Sequence, residues 1–184
     1  QRKGLLFAGT ELGLFISWNG GVSWSPFQLN LPVTPITDLK IHKGDLIAAT
    51  SGRSFWILDD IGLLRQFKKD NPPLTIYQPE DTYLVNAYSE LNQSNPDFDG
   101  TSKLNGVNPA TGVVLYYQLP ELKATDKIEM EIKDAEGKLV RRFSSKPDSL
   151  YKRYDGAPRR DPLLSKSTGL NRFVWDLRYA TIPG

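Results

Sequence analysis

Short apolar runs separated by turn-forming residues organise the first third of the chain. Such runs, and runs that alternate between apolar and polar side chains, are typical of β-strands. The pattern predicts strands at residues 5–10, 14–17, 36–42, 46–50, 55–58 and 63–67. The run at 46–50 is continuously apolar up to its last residue, which indicates a strand buried on both faces. We expect residues 63–67 to form an outer fourth strand, so that residues 36–68 make a complete four-stranded unit.

A repeat of about forty residues underlies these strands. Residues 6–10 align with residues 46–50, and residues 15–16 align with residues 55–56. This period is the spacing of a four-stranded propeller blade. A closed propeller normally takes about four to eight blades. The sequence therefore predicts about two blade units, and we expect the chain to be part of a longer protein.

A polar, proline-rich stretch at residues 68–73 predicts a domain boundary. It separates a partial propeller at residues 1–68 from a second domain at residues 69–184. Within the second domain, residues 89–112 are dense in Ser, Asn, Asp, Gly and Pro, which predicts a long irregular loop. A loop of this length in a compact domain is usually functional or mobile.

The second domain also reads as β-structure. Strands are predicted at residues 74–77, 113–119, 127–133, 139–143 and 169–178. In residues 127–133, apolar and charged side chains alternate, which is typical of an antiparallel strand with one solvated face. Residues 134–138 predict a hairpin turn with a positive φ at Gly137. The last strand should contribute three core residues, Phe173, Trp175 and Leu177.

Composition supports an all-β fold and excludes several kinds of chemistry. The 184 residues are 39% hydrophobic and 24% charged, and 15 Gly and 13 Pro favour short connections over helices. A net charge of +2 is too small to predict nucleic-acid binding. The chain has no cysteine and a single histidine, His42, so thiol catalysis and histidine clusters are excluded. No stretch approaches the ~20 apolar residues of a membrane span.

Residues 17–24 match the Asp-box or BNR motif, Ser-x-Asp/Asn-x-Gly-x-Ser/Thr-Trp. The Asn side chain can bond the backbone two residues on, and the glycines accept a positive φ. The tryptophan is expected to fold under the hairpin. The motif is a folding device, so we predict structural roles for Ser17, Asn19, Gly21, Ser23 and Trp24.

Four other residues are candidates for facing a ligand: Trp18, Arg53, Trp56 and Asp59. Tryptophan rings can stack on sugars, although in a blade they more often fill the space between sheets. Asp59 and Asp60 are adjacent, so in an extended strand their side chains point to opposite faces. They therefore do not make a paired acid and base, and no catalytic residue is predicted.

A weak calcium candidate lies in the predicted loop. Asn95, Asp97 and Asp99 place side-chain oxygens at positions 1, 3 and 5 before Gly100, which is half of a calcium-binding loop. Gly106 stands where such a loop has its bidentate glutamate. The alternative is a solvated loop, and no cofactor is predicted.

Residues 141–160 carry a local excess of positive charge, with two acidic residues, Asp148 and Asp155, among them. Such a patch could attract acidic polymers. The alternative is a solvated loop that serves solubility. The basic residues are Arg141, Arg142, Lys146, Lys152, Arg153, Arg159 and Arg160.

Two family resemblances follow from these motifs. Residues 9–24, 29–32 and 49–61 resemble the last blades of large exported bacterial proteins with BNR-repeat, sortilin-type propellers, which are often called glycosyl hydrolases. That family commonly has histidine where Ser51 stands, so this turn does not offer an imidazole to a ligand.

The second half resembles the Ig-like β-sandwich of the flagellar hook-capping type, through residues 116–121, 132–141 and 169–176. Together the resemblances imply an exported, non-catalytic C-terminal segment that serves in structure and interaction. Its partners would be the remainder of a propeller or another protein. The alternative is part of a glycan-active enzyme whose active site lies mostly outside this chain.

Overall fold

The computed structural model describes residues 3–68, 71–83, 110, 112–149 and 160–180. These residues form eleven short strands and one helix of five residues, so the predicted all-β class is confirmed. None of them forms a helix long and apolar enough to cross a bilayer. They divide into two compact units, one of residues 3–68 and one of the described residues from 71 onward.

The first unit contains two antiparallel sheets of three strands each. The first sheet runs, in spatial order, through β1 (Leu6–Thr10), β2 (Gly13–Ser17) and β3 (Ser25–Pro26). The second sheet runs through β4 (Ile36–His42), β5 (Asp45–Thr50) and β6 (Phe55–Leu58). Each strand therefore pairs with the next one in the sequence, which is the connectivity of a meander.

The two sheets share one hydrophobic core. Its buried residues are Leu14, Leu31, Leu46 and Ile61, and Phe7, Leu39, Trp56 and Leu58 pack against them. Gly9 lies where the sheets approach closely, because a Cβ at this position would lie 2.5 Å from Cγ2 of Ile36. Face-to-face packing of the two sheets thus depends on a missing side chain in β1.

The chain that leaves β6 turns into helix α1 (Gly62–Gln66), and the predicted outer strand at residues 63–67 is wrong. The backbone N–H of Asp60 donates to Asp45 Oδ1 at 2.9 Å, and that of Ile61 donates to the Gly44 carbonyl at 2.8 Å. Ile61 is buried in the core. These contacts with the β4–β5 turn pull the chain away from the edge of β6, so the unit at residues 36–68 has three strands.

The second unit contains a sheet of three strands and a sheet of two. The larger sheet has, in spatial order, β11 (Gly169–Trp175), β8 (Val113–Leu119) and β7 (Thr75–Ile76). The smaller sheet pairs β9 (Glu129–Lys133) with β10 (Leu139–Ser144). All of these pairs are antiparallel.

Residues from both sheets form a single core in the second unit. The buried residues of this core are Tyr117, Leu119, Met130, Phe143, Leu164 and Phe173. Ile128 and Ile132 pack against them, so the predicted apolar face of residues 127–133 is confirmed. The rings of Phe143 and Phe173 lie 4.6 Å apart in a tilted arrangement, which adds to the stabilisation from burial.

Two details of this unit test the sequence prediction closely. Gly137 has a φ of 83°, and the Asp134 carboxylate accepts hydrogen bonds from the N–H groups of Glu136 and Lys138, so the hairpin turn is confirmed. The last strand, however, ends at Trp175. Leu177 has a φ of 61° and is only half-buried, so its prediction as a core strand residue is wrong.

Because of Tyr117, the free energy of unfolding of the second unit should fall as the pH becomes alkaline. Burial raises the pKa of its phenol, and the hydroxyl donates to the Ser165 carbonyl at 2.8 Å, a bond that the phenolate could not make. Above pH ~10 the unfolded state loses this proton first. The stabilisation is therefore complete below about pH 10 and is lost as the pH rises through the pKa of the folded state.

We expect Tyr117→Phe to reduce the loss of stability as the pH rises above about 10. Urea denaturation at several pH values would measure this loss. Tyr116→Phe, on the other face of β8, is the matched control and should keep the loss seen in the unaltered protein. An equal alkaline loss in Tyr117→Phe would contradict the assignment.

Candidate functional site

The Asp-box hairpin is held by the side chain of Ser17, which is fully buried. Ser17 Oγ accepts hydrogen bonds from the backbone N–H of Gly21 at 2.9 Å and of Asn19 at 3.4 Å. It donates to Asn19 Oδ1 at 3.0 Å. One hydroxyl therefore satisfies two backbone donors in a turn that has no strand partner for them.

Asn19 closes the other side of the hairpin. Its Oδ1 accepts from the Ser23 N–H at 2.9 Å, and its Nδ2 donates to Ser23 Oγ at 2.8 Å. Gly20 and Gly21 both have positive φ values, as the turn requires. The Trp24 ring lies against Gly21 but stays 42% exposed, so the hairpin does not bury it. The polar side chains of the motif are thus bound to one another and to the backbone.

Asn19→Ala should lower the free energy of unfolding of the first unit by about 0.5–1.5 kcal/mol, because the exposed Ser23 N–H exchanges its side-chain acceptor for water. Asn19→Asp keeps the accepting oxygen, and Ser23 Oγ can then donate to it. We therefore expect that variant to stay within about 0.5 kcal/mol of the unaltered protein. Urea denaturation of the three proteins measures the difference, and equal losses in both variants would contradict this role.

Trp18 and Trp56, the two tryptophans considered for stacking on a sugar, both lie against the protein. The Trp18 ring packs against Phe67, with ring centroids 5.7 Å apart and planes inclined by 48°. Trp56 packs against the core of the first unit, and its Nε1 donates to the Arg53 carbonyl at 2.9 Å. The Trp56 indole therefore stabilises the turn before β6 through its hydrogen bond to Arg53.

Arg53 and Asp59 have exposed side chains at the two ends of β6. Asp60 has a φ of 50°, and its Oδ1 accepts from the Gly62 N–H at 2.8 Å. The structure thus gives Asp60 a role at the start of α1. Among the described residues, no group of three or more His, Asp or Glu could hold a metal ion. Asn95, Asp97 and Asp99 lie outside the described residues.

The most unusual surface of the first unit is an apolar sheet face that the sequence reading missed. Ile47 and Ala49 on β5 lie directly opposite Ile57 and Phe55 on β6, and paired residues share a face. Phe55 is 75% exposed and Ile57 is 60% exposed. We call these four residues the outer face. The prediction that residues 46–50 are buried on both sides is wrong, because Leu46 and Ala48 are buried whereas Ile47 and Ala49, on the other side, are only half-buried.

Comparisons with family models, curated proteins and solved structures give no match. Any interpretation of the outer face therefore depends on the geometry of this chain. The resemblance to BNR-repeat propellers and to hook-capping sandwiches stays a proposal.

The basic stretch at residues 141–160 is partly neutralised where the structure describes it. Arg141 is buried and pairs with Asp161, Arg142 pairs with Glu131, and Lys146 Nζ donates to the Thr125 carbonyl. The prediction that Arg141 belongs to an exposed basic patch is therefore wrong. Lys152, Arg153 and Arg159 lie outside the described residues.

Proposed function

We propose that this chain is a non-catalytic segment that serves in structure and interaction within an exported propeller protein. The observation that carries the proposal is the outer face, because large exposed apolar patches mark protein contact sites more often than free surface. Phe55 and Ile57 lie on regular strand positions, so they would present a flat surface to a partner. The partner would be the remainder of a propeller or another protein.

The polar residues of the first unit support the same proposal. Ser17, Asn19 and Ser23 hold a hairpin, and Asp45 and Asp60 hold the start of α1. These side chains are used to fix backbone, which is what a supporting segment needs. Export is proposed from the family resemblance.

A glycan array tests the proposal against the alternative of a glycan-active protein. We expect the chain to retain no glycan above the level of its Trp18→Ala variant, whose folding is checked by circular dichroism. A mixture of chromogenic glycosides should stay unhydrolysed. Glycan binding that depends on Trp18, or hydrolysis by the purified chain, would overturn the proposal in favour of the glycan-active alternative.

A further inference from the structure

The two sheets of the first unit share one strand order and a repeated first strand. The pairing of the second strand is shifted by one residue against the sequence repeat, so that Phe55 takes the place of Leu14 and not of Phe15. The repeat aligns residues 6–10 with residues 46–50, and these residues form β1 and most of β5. Each strand then pairs with the strand that follows it, so β2 occupies in the first sheet the place of β6 in the second. Residues of the two sheets can therefore be compared position by position.

In the first sheet, the face that carries Phe7 and Gly9 is buried at Leu14 and Ile16 on β2, whereas on β1 Phe7 is half-buried and Gly9 is exposed. Phe7 packs into the shared core, and Gly9 lies against Ile36 and Leu39 of the second sheet. Leu14, which is opposite Gly9 on β2, is buried in the same core. This face of one repeat thus packs directly on the sheet of the next repeat.

The outer face is the equivalent position in the second sheet. Ile47 takes the place of Phe7, and Ala49 takes the place of Gly9. Their cross-strand neighbours Ile57 and Phe55 take the places of Ile16 and Leu14. No third sheet of the described residues covers this face, since Phe55 and Ile57 are largely exposed.

The chain also carries the surface that would complement the outer face. The side of the second sheet that receives the first sheet bears Leu46 and Ala48. The repeat places Leu6 and Ala8 at the equivalent positions of the first sheet. Leu6 is exposed and Ala8 is half-buried, and Phe15 lies opposite Ala8 on the same side. We call Leu6, Ala8 and Phe15 the complementary face.

We propose that the outer face binds a β-sheet of this same repeat through a surface like the complementary face. When the chain stands alone, this sheet is the first sheet of a second copy. The contact is head-to-tail, because it joins two different surfaces of the molecule, and such contacts propagate unless they close into a ring. The inference rests on the proposed function, since it names the partner of the face that carries that proposal.

Charged residues on β4 border the outer face. Asp38 and Lys40 are cross-strand neighbours of Ala49 and Ile47, so they share their side of the sheet. Both are exposed. A polar rim beside an apolar centre is the usual composition of a specific protein contact.

Sedimentation velocity of the purified chain from micromolar to millimolar concentration tests the proposal. We expect association that increases with concentration. Phe55→Asp places a charge on the outer face, and Leu6→Asp places one on the complementary face. Each substitution should weaken association at least about tenfold. Leu12→Asp is the control, since Leu12 is an exposed leucine in the β1–β2 turn, 74% exposed against 42% for Leu6, and it should leave association unchanged.

Mixing Phe55→Asp with Leu6→Asp tests whether the two faces bind each other. Phe55→Asp keeps the complementary face and Leu6→Asp keeps the outer face, so together they should form one heterodimer while each alone stays monomeric. Circular dichroism confirms that each variant folds. Ile57→Thr, which keeps a β-branched side chain, replaces Phe55→Asp if the latter unfolds.

Three outcomes would overturn the proposal: a monomer at every concentration, association that Phe55→Asp and Ile57→Thr leave unchanged, and failure of Phe55→Asp to associate with Leu6→Asp. A monomer whose outer face bound an unrelated protein would assign that face to another partner. The glycan assays do not depend on any of these results. Failure of the sheet contact can therefore be distinguished from failure of the proposed function.

Discussion

Asp161→Ala should lower the free energy of unfolding of the second unit by about 3 kcal/mol. The reason is Arg141, whose side chain is only 7% exposed, while Asp161 is 50% exposed. One guanidinium nitrogen of Arg141 pairs with Asp161 Oδ1, and another donates to the carbonyls of Arg178 and Tyr179. Removing Asp161 leaves a buried positive charge without its counter-ion, and that is the costly half of a broken ion pair.

The companion variant Arg141→Met should cost less, about 1 kcal/mol, although it removes the whole guanidinium group. Methionine fills much the same volume, and Arg141 lies over the Phe143 ring at 5.4 Å, which a thioether also contacts well. The Nε of Arg141 is buried without a hydrogen-bond partner, so its removal even relieves a small cost. Asp161, left alone, keeps its contact with water.

The neighbouring Arg142 is the matched control. It is 53% exposed and pairs with Glu131, so Arg142→Met should change stability by no more than about 0.5 kcal/mol. Urea denaturation with fluorotryptophan labelling measures the second unit through Trp175, the single tryptophan after residue 68. If Arg141→Met lowers the free energy of unfolding as much as Asp161→Ala does, the unpaired charge of Arg141 is not the main cause of the loss in Asp161→Ala.

The parts of the fold that could be predicted from the sequence are those that local chemistry decides. The alternation at Ile128, Met130 and Ile132 depends only on strand geometry, and it is confirmed. The hairpin at residues 134–138 depends on an Asp side chain and a glycine within five residues. Neither needs a distant partner to form.

The errors occur where a distant contact decides the outcome. Residues 63–67 have a composition that suits either a strand or a helix, and hydrogen bonds to Gly44 and Asp45 select the helix. Arg141 looks like a surface residue in sequence, since nothing local shows that Asp161 and the Tyr179 carbonyl will meet it. Contacts of this kind are invisible to periodicity and composition.

The candidate site shows the same division. The Asp-box could be found by its spacing because its side chains bond within seven residues of one another. The outer face could not, because an apolar strand run indicates burial without saying what provides it. Its exposure emerges only from the register of β5 with β6 and from the lack of a covering sheet among the described residues.

Gly112→Ala should destabilise the second unit by about 2–5 kcal/mol. Gly112 precedes β8 and has a φ of 140°, which side-chain-bearing residues rarely adopt. A Cβ there would lie 2.2 Å from the carbonyl oxygen of Trp175, at the end of β11. A backbone atom in a sheet cannot move aside as a flexible side chain can, so the pairing of Val113 with Trp175 must open.

Gly169→Ala separates this clash from the cost of the backbone conformation alone. Gly169 starts β11 with a φ of 90°, and a Cβ there would meet no atom within 4 Å. It should therefore cost only the ~1–2 kcal/mol of a left-handed residue. The further loss in Gly112→Ala, about 1–3 kcal/mol from overpacking, measures the close approach of β8 and β11. Equal losses in urea denaturation would contradict a clash, and equal protection of the Trp175 amide from hydrogen exchange would show that the pairing had not opened.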